Sequence, residues 1–340
     1  MDTTLSEDKA TQIKQAILAA EKISIIMHHN PDGDALGSSL GFYLLLKKLG
    51  KKVTVISPNI YSELLAWMKD HERIIIGNKN KETCLKKLEQ TDFLIMMDFN
   101  VLSRIDWLEP IVRKMDCPSL LIDHHPNPCN DATYLISDTS VSSTAELTYE
   151  CIEKFGWVDK IDRDTGECLY AGIMTDTGCF SFNSSVPRTF EIVASLLNTG
   201  IRKDMVYANV YNNYSYNRMK LLGLALKDKL VNMKEYHTAY IALTQDEQKK
   251  YHFQPGDTEG FVNYPLSIKG TRFSALFLEK ENHTKLSFRS IGDFPANEFA
   301  AKYFNGGGHL NAAGGETNLG IQESIDVFVD KLAEYAEKLK

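Results

Sequence analysis

Four short clusters of His and Asp interrupt apolar stretches, and their side chains are the types that hold divalent cations. The run HHNPDGDALGSS (28–39) offers one imidazole and two carboxylates, His28, Asp32 and Asp34, within seven residues. Asp98 lies in MDFN (97–100) at the end of an apolar run, Asp123, His124 and His125 lie in DHHP, and Asp176 lies in TDTGCF. Each cluster alone has a plain reading. Asp34 would cap a helix, Asp98 and Asp176 would be turn or cap residues, and DHHP would be a solvated turn. Two adjacent His after a strand cannot both face the core, so one would ligate a metal while the other meets substrate. A carboxylate cluster is unfavourable unless cations neutralise it. Mixed N/O donors suit Mn²⁺, with Mg²⁺, Co²⁺ or Zn²⁺ as substitutes. Six ligands suit two ions sharing a carboxylate, an arrangement that serves phosphoryl transfer. An EF-hand is excluded, because the glycine spacing is wrong and no Glu stands at the twelfth position. Thr175 and Thr177 flank Asp176 and are expected to orient it.

The elements that must carry these clusters alternate. Strands are expected at 23–28, 53–57, 92–98 and 120–123, with helices at 35–49 (closed by Gly50), 81–90, 143–155, 164–175 and 188–199. Alternating βα units imply an α/β fold with a mostly parallel sheet and helices on both faces. Ligands of such sheets bind beyond the carboxyl ends of the strands, so the four clusters converge on one rim. A long amphipathic helix pattern over 216–234 reads as a connector. Strand-like TAYIAL, FSALFLE and KLSFRSI follow, then helix patterns at 295–304 and 321–339, which together make a smaller α+β domain. The expected domains are 1–214, a helical linker at 215–235, and 236–340.

In the second half, GGGHLNAAGG (306–315) exposes backbone N–H groups at Gly306, Gly307 and Gly308, and His309 adds a donor; the set could cradle an anion. It is not a Walker loop, because no Gly-Lys-Ser/Thr follows. A flexible turn is its plain reading. Arg289, in SFRS, could fork onto a phosphate; its plain reading is a surface Arg.

The chain has 340 residues and a net charge of −7. Residues 1–214 carry 22 basic and 29 acidic side chains, and residues 215–340 carry 16 of each. Neither half is basic, which argues against general affinity for long nucleic acid. No apolar run approaches membrane-spanning length. Six cysteines without a CxxC pair suit reduced thiols in a cytoplasm.

HHNPDGDALGS, Asp98, DHHP, TDTG and GGGHLNAAG, in this order over nearly the whole chain, resemble the DHH phosphoesterase family in its nanoRNase and bisphosphate-nucleotidase branch. The resemblance implies a DHH domain, a DHH-associated domain and an active-site cleft between them. It implies one metal on His28, Asp32 and Asp98, and another on Asp34, Asp98, His124 and Asp176, with Asp98 bridging. His125 would face the scissile phosphate, and Arg289, Gly306, Gly307, Gly308 and His309 would hold substrate. A metal-bridging hydroxide would attack phosphorus. Short oligonucleotides would yield nucleoside 5′-monophosphates, and adenosine 3′,5′-bisphosphate would lose its 3′-phosphate. Neither long duplexes nor membranes are expected partners, while a homodimer is possible. Many relatives carry Arg after the TDTG motif where this chain has Ser181, which removes one phosphate contact. Two rivals stand: an exopolyphosphatase-like or pyrophosphatase-like enzyme, and a non-catalytic nucleotide sensor.

Overall fold

The strands in the first half are short, mostly apolar runs, and the order in which all six pair decides where a ligand can bind. In the computed structural model, which describes residues 3–340, the chain divides into units Met1–Asn213 and Tyr214–Lys340. The strands of the first unit are β1 (Lys22–Met27), β2 (Lys52–Ser57), β3 (Ile75–Ile76), β4 (Phe93–Met97), β5 (Ser119–Asp123) and β6 (Tyr134–Ser137). They form an all-parallel sheet of order β3-β2-β1-β4-β5-β6. The order reverses between β1 and β4, the topological switch point at which open α/β sheets bind ligands.

Strand side chains alternate between two cores, as a sheet covered on both faces requires. Ile23, Ile25, Met27, Phe93, Ile95, Met97, Leu120 and Ile122 enter one core; Ile26, Leu94, Met96 and Leu121 enter the other. The helices of this unit are α1 (Glu7–Ala19), α2 (Gly33–Lys48), α3 (Lys81–Glu89), α4 (Glu109–Val112), α5 (Thr144–Lys154), α6 (Arg163–Asp176), α7 (Pro187–Asn198) and α8 (Lys203–Tyr211). The first core includes residues of α1, α2, α5, α6, α7 and α8, and the second includes residues of α3 and α4.

α2 and α6 meet through glycine. A Cβ on Gly37 would fall 2.5 Å from the Cys168 carbonyl oxygen, and one on Gly33 would fall 2.3 Å from Thr175 Oγ1. With Gly41 at the same four-residue spacing, these glycines form a flat stripe on one face of α2. The stripe lets the two backbones approach closely enough to bring the start of α2 to the end of α6.

The second unit contains α9 (Tyr216–Asp228), β7 (Leu230–Met233), β8 (Thr238–Leu243), α10 (Gln245–Lys250), β9 (Phe273–Glu279), β10 (Thr284–Ser290), α11 (Ala296–Tyr303), β11 (Gly307–His309), β12 (Ala312–Thr317) and α12 (Ile321–Leu332). Its sheet runs β11-β12-β10-β9-β8-β7, with only β8 and β9 parallel. One face is a phenylalanine-rich core of Phe273, Phe277, Phe288, Phe294, Phe299, Phe304 and Phe328.

Three expectations change here. The helix expected over 216–234 stops at Asp228, and Leu230–Met233 pairs antiparallel with β8 instead. Leu221, Leu222 and Ala225 of α9 are buried against Ile241 and Leu243 of the second sheet, so the segment expected as a connector belongs to this unit's core. The final helix ends at Leu332, where a short 3₁₀ turn takes over. No helix among the described residues is long and apolar enough to cross a membrane.

Candidate metal centre

The strand ends at the switch point deliver the first ligand candidates. β1 runs directly into His28, and β4 into Asp98, whose backbone is left-handed at φ 66°. Asp tolerates that region better than most residues. Here it turns the carboxylate off the strand axis. His28 is buried; its Nδ1 donates to the His29 carbonyl at 2.9 Å. Nε2 is aimed at Asp98 Oδ2, 3.5 Å away, and Asp32 Oδ1, 3.8 Å away, with no hydrogen-bond partner of its own. An imidazole pinned by a carbonyl on one nitrogen and directed at carboxylates by the other is the arrangement of a metal-ligating histidine.

Asp32, not Asp34, caps α2: its Oδ1 accepts from the Asp34 and Ala35 N–H groups. Asp34 is buried, and its two oxygens accept from the backbone N–H groups of Thr144 (2.7 Å) and Ala145 (2.8 Å). Those are the first residues of α5, so a helix N-terminus grips this carboxylate. Burial, and then the charges of Asp98, Asp176 and Asp32, push the Asp34 carboxyl well above its ordinary range despite those bonds. Thr144 Oγ1 also donates to Asp98 Oδ1 at 2.8 Å.

His124 Nε2 lies 3.3 Å from Asp176 Oδ2, 3.8 Å from Asp34 Oδ2 and 3.9 Å from Asp98 Oδ1. Three groups in this unit have ligand atoms within 4.8 Å of one another: Asp98/Asp123/His125, and the two that would hold ions, His28/Asp32/Asp98 and Asp34/His124/Asp176. Asp98 reaches both, through opposite oxygens. Burial alone would push the His28 ring down, but the nearby carboxylates of Asp32 and Asp98 win and raise it to about 10. Burial likewise opposes ionisation of Asp98, yet His28, His125 and His124 hold its carboxyl well below the usual range. These opposed shifts describe a dry, strongly negative pocket that attracts positive charge. The donor set fits divalent metal.

Sequence reasoning named Asp123 but missed its role. It is fully buried, and His125 donates to it twice, through Nδ1 at 2.7 Å and the backbone N–H at 3.1 Å. Its side chain therefore fixes the ring of His125, which lies 3.7 Å from Asp98. The hint was its place as the last residue of an apolar strand. Thr144 was missed as well, and nothing at positions 143–145 beyond an N-capping serine marks it.

The threonines flanking Asp176 do not orient it. Thr175 Oγ1 donates to the carbonyls of Ala171 and Gly172, and Thr177 Oγ1 to that of Ile173, as hydroxyls near a helix end commonly do.

Arg289, Gly306, Gly307, Gly308 and His309 lie in the second unit. Arg289 stands in β10 opposite Ala312, and its Nη1 donates to the Phe288 carbonyl. The glycine run is an edge strand rather than a loop: Gly307, Gly308 and His309 pair with Gly314, Ala313 and Ala312. Two of its three glycines answer to close approach: a Cβ on Gly306 would fall 2.0 Å from the Gly314 carbonyl oxygen, and one on Gly308 2.5 Å from that of Ala312. Gly308 has φ 138°, a region open to glycine.

Residues 22–173 match the DHH family, N-terminal domain, and residues 227–338 match the DHHA1 domain. A bifunctional oligoribonuclease and PAP phosphatase NrnA from Bacillus subtilis is 27% identical over 308 residues, 89% of this chain and 92% of that protein. A protein of the same name from Thermus thermophilus is 27% identical over 314 residues, 90% and 88% of the two chains. The crystal structure of an exopolyphosphatase-related protein from Bacteroides fragilis superposes with a TM-score of 0.95 at 40% identity, covering 100% of this chain and 99% of that one.

Proposed function

The chain belongs to the DHH phosphoesterase family, with a DHHA1 domain after its DHH domain, and is a metal-dependent hydrolase; from that premise we propose that it degrades short oligonucleotides. The products would be nucleoside 5′-monophosphates, and the same site would remove the 3′-phosphate of adenosine 3′,5′-bisphosphate. The observation that carries this reading is the convergence of His28, Asp32, Asp34, Asp98, His124 and Asp176 at the switch point of the sheet. It is supported by relatives, named for both activities, that align over most of the chain.

His28, Asp32 and Asp98 would hold one divalent ion, and Asp34, His124 and Asp176, with Asp98 shared, the other; Mn²⁺ suits the donors best. When bound, such ions supply Lewis acidity and a hydroxide nucleophile at neutral pH. The chain's own residues do the rest. The α5 amides hold Asp34 in place, and Thr144 holds Asp98. Asp123 keeps the His125 ring oriented so that it can meet a phosphoryl oxygen and stabilise charge as it develops. Arg289, the glycines 306–308 and His309 would bind the remainder of the nucleotide. We place the enzyme in the cytoplasm, acting on short rather than long duplex substrates, and homodimeric.

A second reading, exopolyphosphatase-like hydrolysis, draws on the name of the 40%-identical structure. A panel separates them: a 5′-phosphorylated RNA dinucleotide, a long RNA, adenosine 3′,5′-bisphosphate and polyphosphate, each with Mn²⁺ and with chelator. Chelator-sensitive release of mononucleotides from the dinucleotide, with the long RNA far slower, is expected. Orthophosphate from polyphosphate alone would transfer the protein to the second reading. Silence on every substrate would leave a nucleotide sensor.

A further inference from the structure

The chain leaves the metal centre through an unusual turn. α6 ends at Asp176, and Gly178, Cys179 and Phe180 then follow with φ of 54°, 57° and 64°. Three consecutive left-handed residues, two of them not glycine, reverse the chain sharply. The reversal sends two aromatic rings to different fates. Phe180 turns inward, its ring 6.1 Å from Tyr170 and 5.6 Å from Phe190. Phe182 stays outside, 44% exposed, and makes no ring contact among the described residues.

Phe182 is nevertheless held. Its N–H donates to the Thr177 carbonyl at 2.9 Å. Its ring lies over Gly178, where a Cβ would fall 2.6 Å from Phe182 Cδ2. Asn183 Nδ2 donates to the Val141 carbonyl, which ties the turn to the segment leading into α5. The first residues of α5 are the ones that grip Asp34 and Asp98. The exposed ring is thus anchored on both sides to backbone that shapes the metal centre. A ring held rigidly at the surface can stack with little loss of its own freedom, and a nucleobase offers a π-face that a polyphosphate lacks.

We propose that Phe182 is a stacking platform for a nucleobase of the substrate, and so selects nucleotides over base-free phosphoesters. The proposal rests on the short-oligonucleotide reading. The ring takes no part in bond cleavage; it raises affinity for a substrate whose phosphate is already at the metals.

The test is a cycle between protein and substrate. Full-length wild type, Phe182→Ala and Phe182→Tyr are assayed with Mn²⁺ on a 5′-phosphorylated dinucleotide and on singly abasic versions of it. The alanine variant should raise KM for the dinucleotide by roughly 10-fold with kcat nearly unchanged. It should leave KM unchanged for one abasic version, and tyrosine should restore the wild-type value. Equal KM for wild type and Phe182→Ala on the dinucleotide would overturn the proposal, as would an equal rise on the dinucleotide and every abasic version. A wild type that leaves the dinucleotide intact would refute the short-oligonucleotide reading itself, and the stacking role with it.

Discussion

Replacing Asp98 by Asn tests the shared-carboxylate arrangement without disturbing the backbone, because Asn also tolerates a left-handed φ. Its Oδ1 can still accept from Thr144 Oγ1, so the metal-free variant should melt within a few degrees of wild type. Removing one partner from a buried charge pair costs roughly 3 kcal/mol or more, so Mn²⁺ binding should weaken by about 10²-fold. Take Mn²⁺ at 1,000 times the wild-type Kd. It stabilises wild type by about 4 kcal/mol and the variant by about 1.4 kcal/mol. For a unit of this size those gains are roughly 8–16 °C and 3–6 °C in Tm. Thermal melting of chelator-stripped protein across a Mn²⁺ titration reads both, and turnover should be abolished. Equal Mn²⁺-induced shifts in the two proteins would refute the reasoning.

Gly37→Ala should lower stability by about 3 kcal/mol or more, since its Cβ would meet the Cys168 carbonyl oxygen at 2.5 Å; denaturant unfolding measures it, and a loss under 1 kcal/mol would remove the close-approach argument. Asp70 is buried, and although burial favours its neutral form, bonds from Lys47 and Tyr43 hold its carboxyl below the usual range. A carboxyl depressed by folding contributes stability above its unfolded value and loses it as pH falls through the folded one. Asp70→Asn should therefore cost about 1 kcal/mol at pH 7, and unfolding curves of variant and wild type should converge in strong acid. Arg289→Ala should raise KM for the dinucleotide while leaving Mn²⁺ binding, followed by calorimetry, unchanged; an unaltered KM would count against its role in holding substrate.

Much of this was legible because polar residues at the ends of apolar strands stand out. The runs before His28, Asp98 and Asp123 announced parallel strands, and the switch-point rule gathered their ends. What was hidden depends on contacts distant in sequence. Thr144 and Ala145 hold Asp34 across 110 residues or more, and no local pattern records that. The stripe Gly33, Gly37, Gly41 was in plain sight within GDALGSSLG, but it acquires meaning only beside α6. Gly306, Gly307 and Gly308 read as an anion cradle, and the fold adds a second reason for Gly306 and Gly308, the close approach of a neighbouring strand. The 216–234 pattern read as one helix because Leu230 and Val231 continue its apolar rhythm; their pairing with Ile241 and Tyr240 outweighs helix propensity.

The glycine contact between α2 and α6 also bears on the order in which the molecule folds. β1 must first find β4, Ile23 opposite Phe93, closing a loop of about seventy residues at an entropic cost that no contact yet repays. Only after α5 and α6 dock on α2 do Asp34 and Asp176 come within reach of His124. The ion-binding pocket is then expected to assemble late, outside the folding transition state. Interactions absent from that state slow unfolding without hastening folding. Divalent metal should therefore lengthen the lifetime of the folded enzyme while leaving its refolding rate untouched, and the cation would guard the protein kinetically as well as serve its chemistry.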